Sequence, residues 1–197
     1  RNFGQRAWRR PLTEEETSRL MGLYNLSRDG GGPHEEGIGL IAKALMLSPH
    51  FYYRVEIDPS PANTVSHPLS AWELVTRLSY FLWSSMPDDA LFAAAADGSL
   101  LEDDVLESQV RRMLADEKAS AIVNNLAGQW LHIRAVDDAL PDVWVFPEWD
   151  ETLRTSMKEE MRRMASRLFL EDRSMLDLLT AEETEIDSRL ATFYGLE

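Results

Sequence analysis

LSAWELVTRLSYFLWSSMPDD, residues 69–89, reads as one helix with a defined start and stop. Ser70 followed by Glu73 is a capping box: the hydroxyl accepts from the Glu73 amide while the carboxylate reaches back to Ser70. At about 100° per residue, Ala71, Trp72, Leu74, Val75, Leu78, Phe81, Leu82 and Trp83 cover roughly 200° of the surface, twice what a surface helix needs. The pattern predicts a central helix over about 70–85, buried on most sides, with Glu73, Thr76, Arg77, Tyr80 and Ser84 on the remaining strip. Glu73 and Arg77, at i and i+4 in the favourable order, are expected to pair for about 0.3–0.5 kcal/mol. Pro87 stops the helix and Asp88 caps the next. Helical spacing accounts for Trp72, Tyr80, Phe81 and Trp83 as core, with an aromatic ligand cradle as the alternative.

Upstream, Phe3 to Trp8 reads as a short helix stopped by Pro11, and Thr13 with Glu16 is a second capping box. Leu20, Met21, Leu23 and Tyr24 form the apolar face of the second helix. The glycines at 30–32 break it, and His34 to Leu47 is the third helix. Phe51-Tyr52-Tyr53-Arg54-Val55-Glu56 reads as an aromatic anchor, and the Pro- and Ser-rich residues 58–67 as a linker. This divides the chain into a small helical module, 1–57, and a main helical module, 68–197.

Downstream, a short Ala-rich helix over 88–97 ends at Gly98. A helix over 102–115 precedes one capped by Asp116, whose stripe is Ala119, Ile122, Val123, Leu126, Trp130 and Ile133. Residues 134–149 are irregular and hold Trp144, Phe146 and Trp149 between prolines. They are expected to pack back onto the bundle, with a partner surface as the alternative. Asp150 opens a long helix to about Leu170 with a Met-rich face, and Asp172–Thr180 and Asp187–Tyr194 close the chain. Nothing alternates like a strand. The expected fold is all-α, an irregular bundle of about seven to nine helices.

The 197 residues are 44% hydrophobic and 27% charged, ordinary for a globular protein, but the net charge is −14, from 34 acids against 20 Lys and Arg. That argues against general nucleic-acid and anionic-membrane binding, which need a concentrated positive face. Arg1, Arg6, Arg9 and Arg10 are the local exception, read as a solvated helix face or a seam to another segment rather than a phosphate site. With no cysteine, this chain makes no disulfide, thiolate metal site, cysteine nucleophile or covalent haem link. No apolar run approaches the ~20 residues of a membrane span. The chain starts at Arg1 within a helical pattern and finishes on Leu196-Glu197, a common cloning scar, so it reads as an excised domain.

The four histidines, His34, His50, His67 and His132, lack ligand-type spacing, and the paired acids sit mostly at helix starts, where they complement the helix dipole. No nucleophile elbow, phosphate loop or calcium loop is present. No catalytic, cofactor-binding or metal residue is assigned. Arg54, Glu56, Glu73, Arg77, Asp88 and Gln129 are candidates for a polar network, in which Glu56 or Glu73 would partner a buried arginine. Trp144 and Trp149 are candidate interface residues.

Six blocks occur in order: RNFGQRAWRRPLTEEE, SPHFYYRVE, ELVTRLSYFLWSSMPDDAL, QVRRMLADEKA, NLAGQWL and SRLATFYG. Together they cover almost the whole chain, which resembles the planctomycete-type secreted domains of unknown function, a small N-terminal module followed by a larger one. The resemblance implies export to the periplasm or beyond, and neighbouring modules with a Cys-x-x-Cys-His haem motif, so that haem c belongs to a missing C-terminal part. It carries over no catalytic residue. The expected function is a helical scaffold or docking module whose partners are other modules of the same protein, of unknown oligomeric state. The alternatives are a subdomain of an oxidoreductase or hydrolase completed by missing modules, and a self-contained enzyme using Glu, Arg and Tyr in a cleft.

Overall fold

The computed structural model describes residues 2–57, 66–171 and 173–196. Among the described residues there are twelve α-helical segments and no strand: the fold is all-α. Four of the twelve, α4 (Pro49–Tyr52), α8 (Ser120–Ile122), α9 (Gly128–Trp130) and α11 (Asp177–Thr180), are single turns, leaving eight longer helices, within the expected seven to nine. Most of the anticipated linker, 58–65, lies outside the described residues. The chain forms two compact units, Arg1–Tyr80 with Ser85–Gln109 and Phe81–Ser84 with Val110–Glu197.

In the first unit, α1 (Asn2–Trp8), α2 (Glu14–Asp29) and α3 (His34–Leu47) come first, with α2 packed along α3 and α1 against α3 and α4. The Thr13–Glu16 capping box forms as read, with bonds of 3.1 and 2.9 Å. Helices α2 and α3 approach closely because residue 37 is Gly: a Cβ there would sit 2.6 Å from the Tyr24 ring. The core gathers Leu45, Val75, Leu91, Ala95 and Leu100, from α3, α5 (Ala71–Trp83), α6 (Asp89–Ala96) and the 3-10 turn Ser99–Leu101. Asp88 caps α6 at 2.9 Å, and Gly98 turns the chain at φ +81°.

The buried face of α5 differs from the expected one. Ala71, Val75, Thr76, Ser79, Leu82 and Trp83 are buried, while Phe81 is 56% exposed. At 100° per residue these positions span about 140°, not 200°. Thr76 and Ser79 are admitted because their hydroxyls bond to the carbonyls of Trp72 and Thr76 within the helix, at 2.9 and 3.2 Å. The aromatic anchor needs a second correction: Tyr52 and Tyr53 are 66% and 68% exposed.

In the second unit, Trp83 Nε1–H donates to Met113 O at the end of α7 (Asp103–Leu114), 2.9 Å away. Asp116 caps the next turn at 2.9 Å, but the helix expected beyond it is interrupted by a π turn, Val123–Ala127, between α8 and α9. A π turn inserts a residue and rotates the positions beyond it about the helix axis. Ala127 and Gly128 therefore face inward, while Leu126 and Trp130, placed on the stripe by sequence, are 38% and 53% exposed. Arg134 secures the turn, donating to Asn124 O at 3.2 Å and to Asn125 Oδ1 at 2.6 Å.

Asp150 caps α10 (Glu151–Leu170) at 2.6 Å, Asp187 caps α12 (Ser188–Tyr194) at 2.9 Å, and the Ser156 hydroxyl joins the two helices by donating to Asp187 at 2.6 Å. Leu153, Ser156, Ala165 and Leu168 are the buried positions of the α10 face, with Met157, Met161 and Met164 half-buried at its edge. Residues 140–146 do not pack back onto the helices. Leu140 is 90% and Trp144 91% exposed, because Asp142 collects the amides of Trp144, Val145 and Phe146 at 2.8–3.0 Å into a tight outward turn.

Candidate functional site: a polar clamp and an open cleft

Four of the candidate polar residues meet in the first unit, along one edge of α5. Glu73, Arg77 and Tyr80 recur at helical spacing, and the extended segment 54–57 lies against them. The Arg54 guanidinium sits 5.1 Å from the Tyr80 ring centroid, Arg77 makes a bidentate pair with Glu56 at 2.6 and 2.9 Å, and the Ile57 amide donates to Glu73 at 2.8 Å. Arg77 therefore turns to Glu56 rather than to Glu73 as the i, i+4 spacing predicted. A planar fork meeting a carboxylate with two parallel bonds outcompetes a single contact along the helix. Glu73 is occupied at home: its carboxylate accepts from the Ser70 amide and hydroxyl at 2.9 and 2.7 Å, and its own amide donates to the Ser70 hydroxyl at 3.3 Å. Burial pulls the Glu73 carboxyl up, but the Ile57 amide and the Ser70 hydroxyl and amide together hold it below its ordinary value. With side chains 59% and 35% exposed, a double-mutant cycle of Arg77→Ala and Glu56→Ala is expected to return a coupling of only about 0.2–1 kcal/mol. A coupling above about 2 kcal/mol would mean that the clamp is desolvated.

At the head of this clamp opens a cleft of about 380 Å³, lined among others by Trp8, Arg10, His50, Tyr53, Trp72 and Glu73. Its floor contains Arg9, only 6% exposed. The buried arginine is thus Arg9, and neither Glu56 nor Glu73 partners it. Its guanidinium donates to the carbonyls of His50 at 2.6 Å and Tyr53 at 2.9 Å, with longer bonds to Ala7 and Phe51. It is the main chain of the segment 50–53 that is anchored, while its tyrosines face outward. The other described arginines of the N-terminal cluster are engaged too: Arg6 with Asp89 at 2.7 Å, and Arg10 with Glu16 at 2.7 and 2.9 Å.

Arg10 also donates to His50 Nε2 at 3.2 Å, so that nitrogen must accept and the imidazole is neutral, with its proton on Nδ1. Burial, reinforced by Arg10 and Arg9, pushes the His50 pKa below its ordinary 6.5. The Arg10 hydrogen bonds hold the Glu16 carboxyl down to about 2. Both shifts are depressions. Stability from His50 is complete above 6.5 and is lost as pH falls below it; stability from Glu16 is complete above 4.5 and is lost on the way to about 2. Urea midpoints at pH 7.5 and 5.5 are expected to fall for the wild type and to fall less for His50→Gln. Equal falls would remove His50 from this role.

The remaining candidates stand apart. Asp88 serves as the α6 cap, Gln129 is exposed on α9, and Trp149 is half-buried with the Arg154 guanidinium 5.7 Å from its ring. The second unit has its own cleft of about 470 Å³ beside the π turn, where Lys158 pairs with Asp137 and Arg162 with Glu159, each at 2.6 Å. Sequence reasoning missed Arg9, Arg10, Glu16 and His50 as a group. Only the Thr13–Glu16 box hinted at it, by fixing where Glu16 would point. Among the described residues no three His, Asp or Glu side chains are placed to hold a metal ion, and no helix is long and apolar enough to cross a membrane.

Residues 69–196 match the family described as PSD4, Protein of unknown function (DUF1592). Residues 1–56 match PSD5, Protein of unknown function (DUF1595). No curated protein and no solved structure matches the chain.

Proposed function

The chain belongs to the first of these families, and from that premise we propose that it is a helical docking module, working beside other modules of one exported, c-type-haem-bearing bacterial protein. The observation that carries this reading is the turn at 140–146. Trp144 is 91% exposed on a loop that Asp142 holds in a defined conformation. An exposed aromatic on this turn, flanked by Leu140, Val143 and Phe146, has the character of an interface anchor, since a large apolar side chain in water gains when a partner covers it. The acids Asp138, Asp142 and Glu148 around it favour a partner with an apolar pocket and a basic rim. In both clefts the ionisable groups are engaged, Arg10 with Glu16, Lys158 with Asp137 and Arg162 with Glu159 as ion pairs, and Arg9, Glu73 and Arg134 by hydrogen bonds, which also supports docking over proton-transfer chemistry. The exported setting and the haem rest on the resemblance of the sequence blocks.

The test co-produces this chain with the haem-bearing modules of its polypeptide in a host that matures c-type haem, and reads co-purified Soret absorbance. Trp144→Ala is expected to reduce it at least tenfold, because an anchor contributes about 2 kcal/mol or more to binding, while the melting temperature of the chain stays unchanged. Undiminished absorbance in the variant, or a partner without haem, would sink the proposal.

A further inference from the structure

We propose that the cleft of the first unit is a binding site for an uncharged polyhydroxylated ring, a sugar unit of a neutral glycan. Its volume, about 380 Å³, lies in the range of small-ligand sites, roughly 300–1,000 Å³. Its charges cancel locally. Glu16 neutralises Arg10, His50 is uncharged, Arg9 is sealed by carbonyls, and Glu73 is met by two amides and a hydroxyl. An ion entering such a cleft would give up hydration and find no counter-charge, whereas a neutral ligand loses far less.

The walls and the remaining polar capacity suit hydroxylated rings. Trp72 lines the cleft and Tyr53, 68% exposed, stands at its rim, giving flat apolar faces for the C–H face of a pyranose, while the Trp8 ring beside them is covered by the Arg10 guanidinium at 5.4 Å and packs against His50. The Trp8 N–H is spent on Leu45 O at 3.1 Å. Glu73 accepts three hydrogen bonds, leaving one of a carboxylate's roughly four lone-pair sites. Arg10 uses its Nη groups on Pro11 O, Glu16 and His50 and keeps its Nε–H; His50 keeps Nδ1–H. Donors and acceptors side by side are what hydroxyl groups, which both give and take protons, can satisfy together.

The proposal is independent of the docking surface, which belongs to the other unit. Its test is calorimetric titration of the chain with cellobiose, maltose and N,N′-diacetylchitobiose, and with glucosamine and glucuronate as charged probes. Saturable binding of a neutral disaccharide is expected, stronger than for either charged sugar. Tyr53→Ala and Trp72→Ala should each weaken it about five- to tenfold, the size of one aromatic contact. Tyr53 is a rim residue, so that variant stays informative if Trp72→Ala fails to fold. No saturable binding of any neutral probe, preference for a charged sugar, or binding indifferent to Tyr53→Ala would overturn the assignment.

Discussion

Arg9→Ala is expected to destabilise the first unit by about 2–5 kcal/mol, among the largest effects of any single substitution in the chain. The guanidinium is 6% exposed and closes two short hydrogen bonds, to His50 O at 2.6 Å and Tyr53 O at 2.9 Å. Truncation leaves those acceptors without a partner in a buried place, and each such loss costs about 1–3 kcal/mol. Arg9 also directly follows α1 at φ +57°, the left-handed conformation that usually ends a helix on glycine. Arg9→Gly removes the same bonds but relieves that backbone cost, so it should be about 1 kcal/mol less harmful than Arg9→Ala. Urea denaturation followed by circular dichroism measures both. An Arg9→Ala variant within about 1 kcal/mol of wild type would show that the carbonyls find other partners.

Leu153→Ala is expected to cost about 2–5 kcal/mol in the second unit, the transfer free energy of the lost methyls plus the cavity left behind. Leu153 is fully buried on α10, in the first turn held by Asp150. Leu179, 86% exposed, is the control: Leu179→Ala should stay within about 0.5 kcal/mol of wild type. If both variants melt alike, α10 is not the support of the second unit.

Helix starts were the most legible feature of the sequence. Ser70 with Glu73, Thr13 with Glu16, and the starts at Asp88, Asp116 and Asp150 all form as read, because a cap is decided within three or four residues. Features that depend on distant partners were not legible. The carbonyls that hold Arg9 come from residues some forty positions later, and no local pattern announces them. Arg77 had a partner in the right place on its own helix, yet the segment 54–57 brought Glu56 in with better geometry. The π turn at Val123–Ala127 shifted Leu126 and Trp130 outward because an inserted residue leaves hydrophobic periodicity intact on either side and changes only the phase. Of the candidate polar residues, Arg54, Glu56, Glu73 and Arg77 do meet, but the cleft beside them is built largely from side chains that sequence spacing treated separately.

Amide hydrogen exchange over residues 140–146, compared between this chain alone and the intact exported protein, tests the docking account most directly. The account predicts a solvent-exposed Trp144 and local exchange only as slow as the Asp142 hydrogen bonds make it in the chain alone, with marked further protection in the intact protein. Equally rapid exchange in both would contradict it.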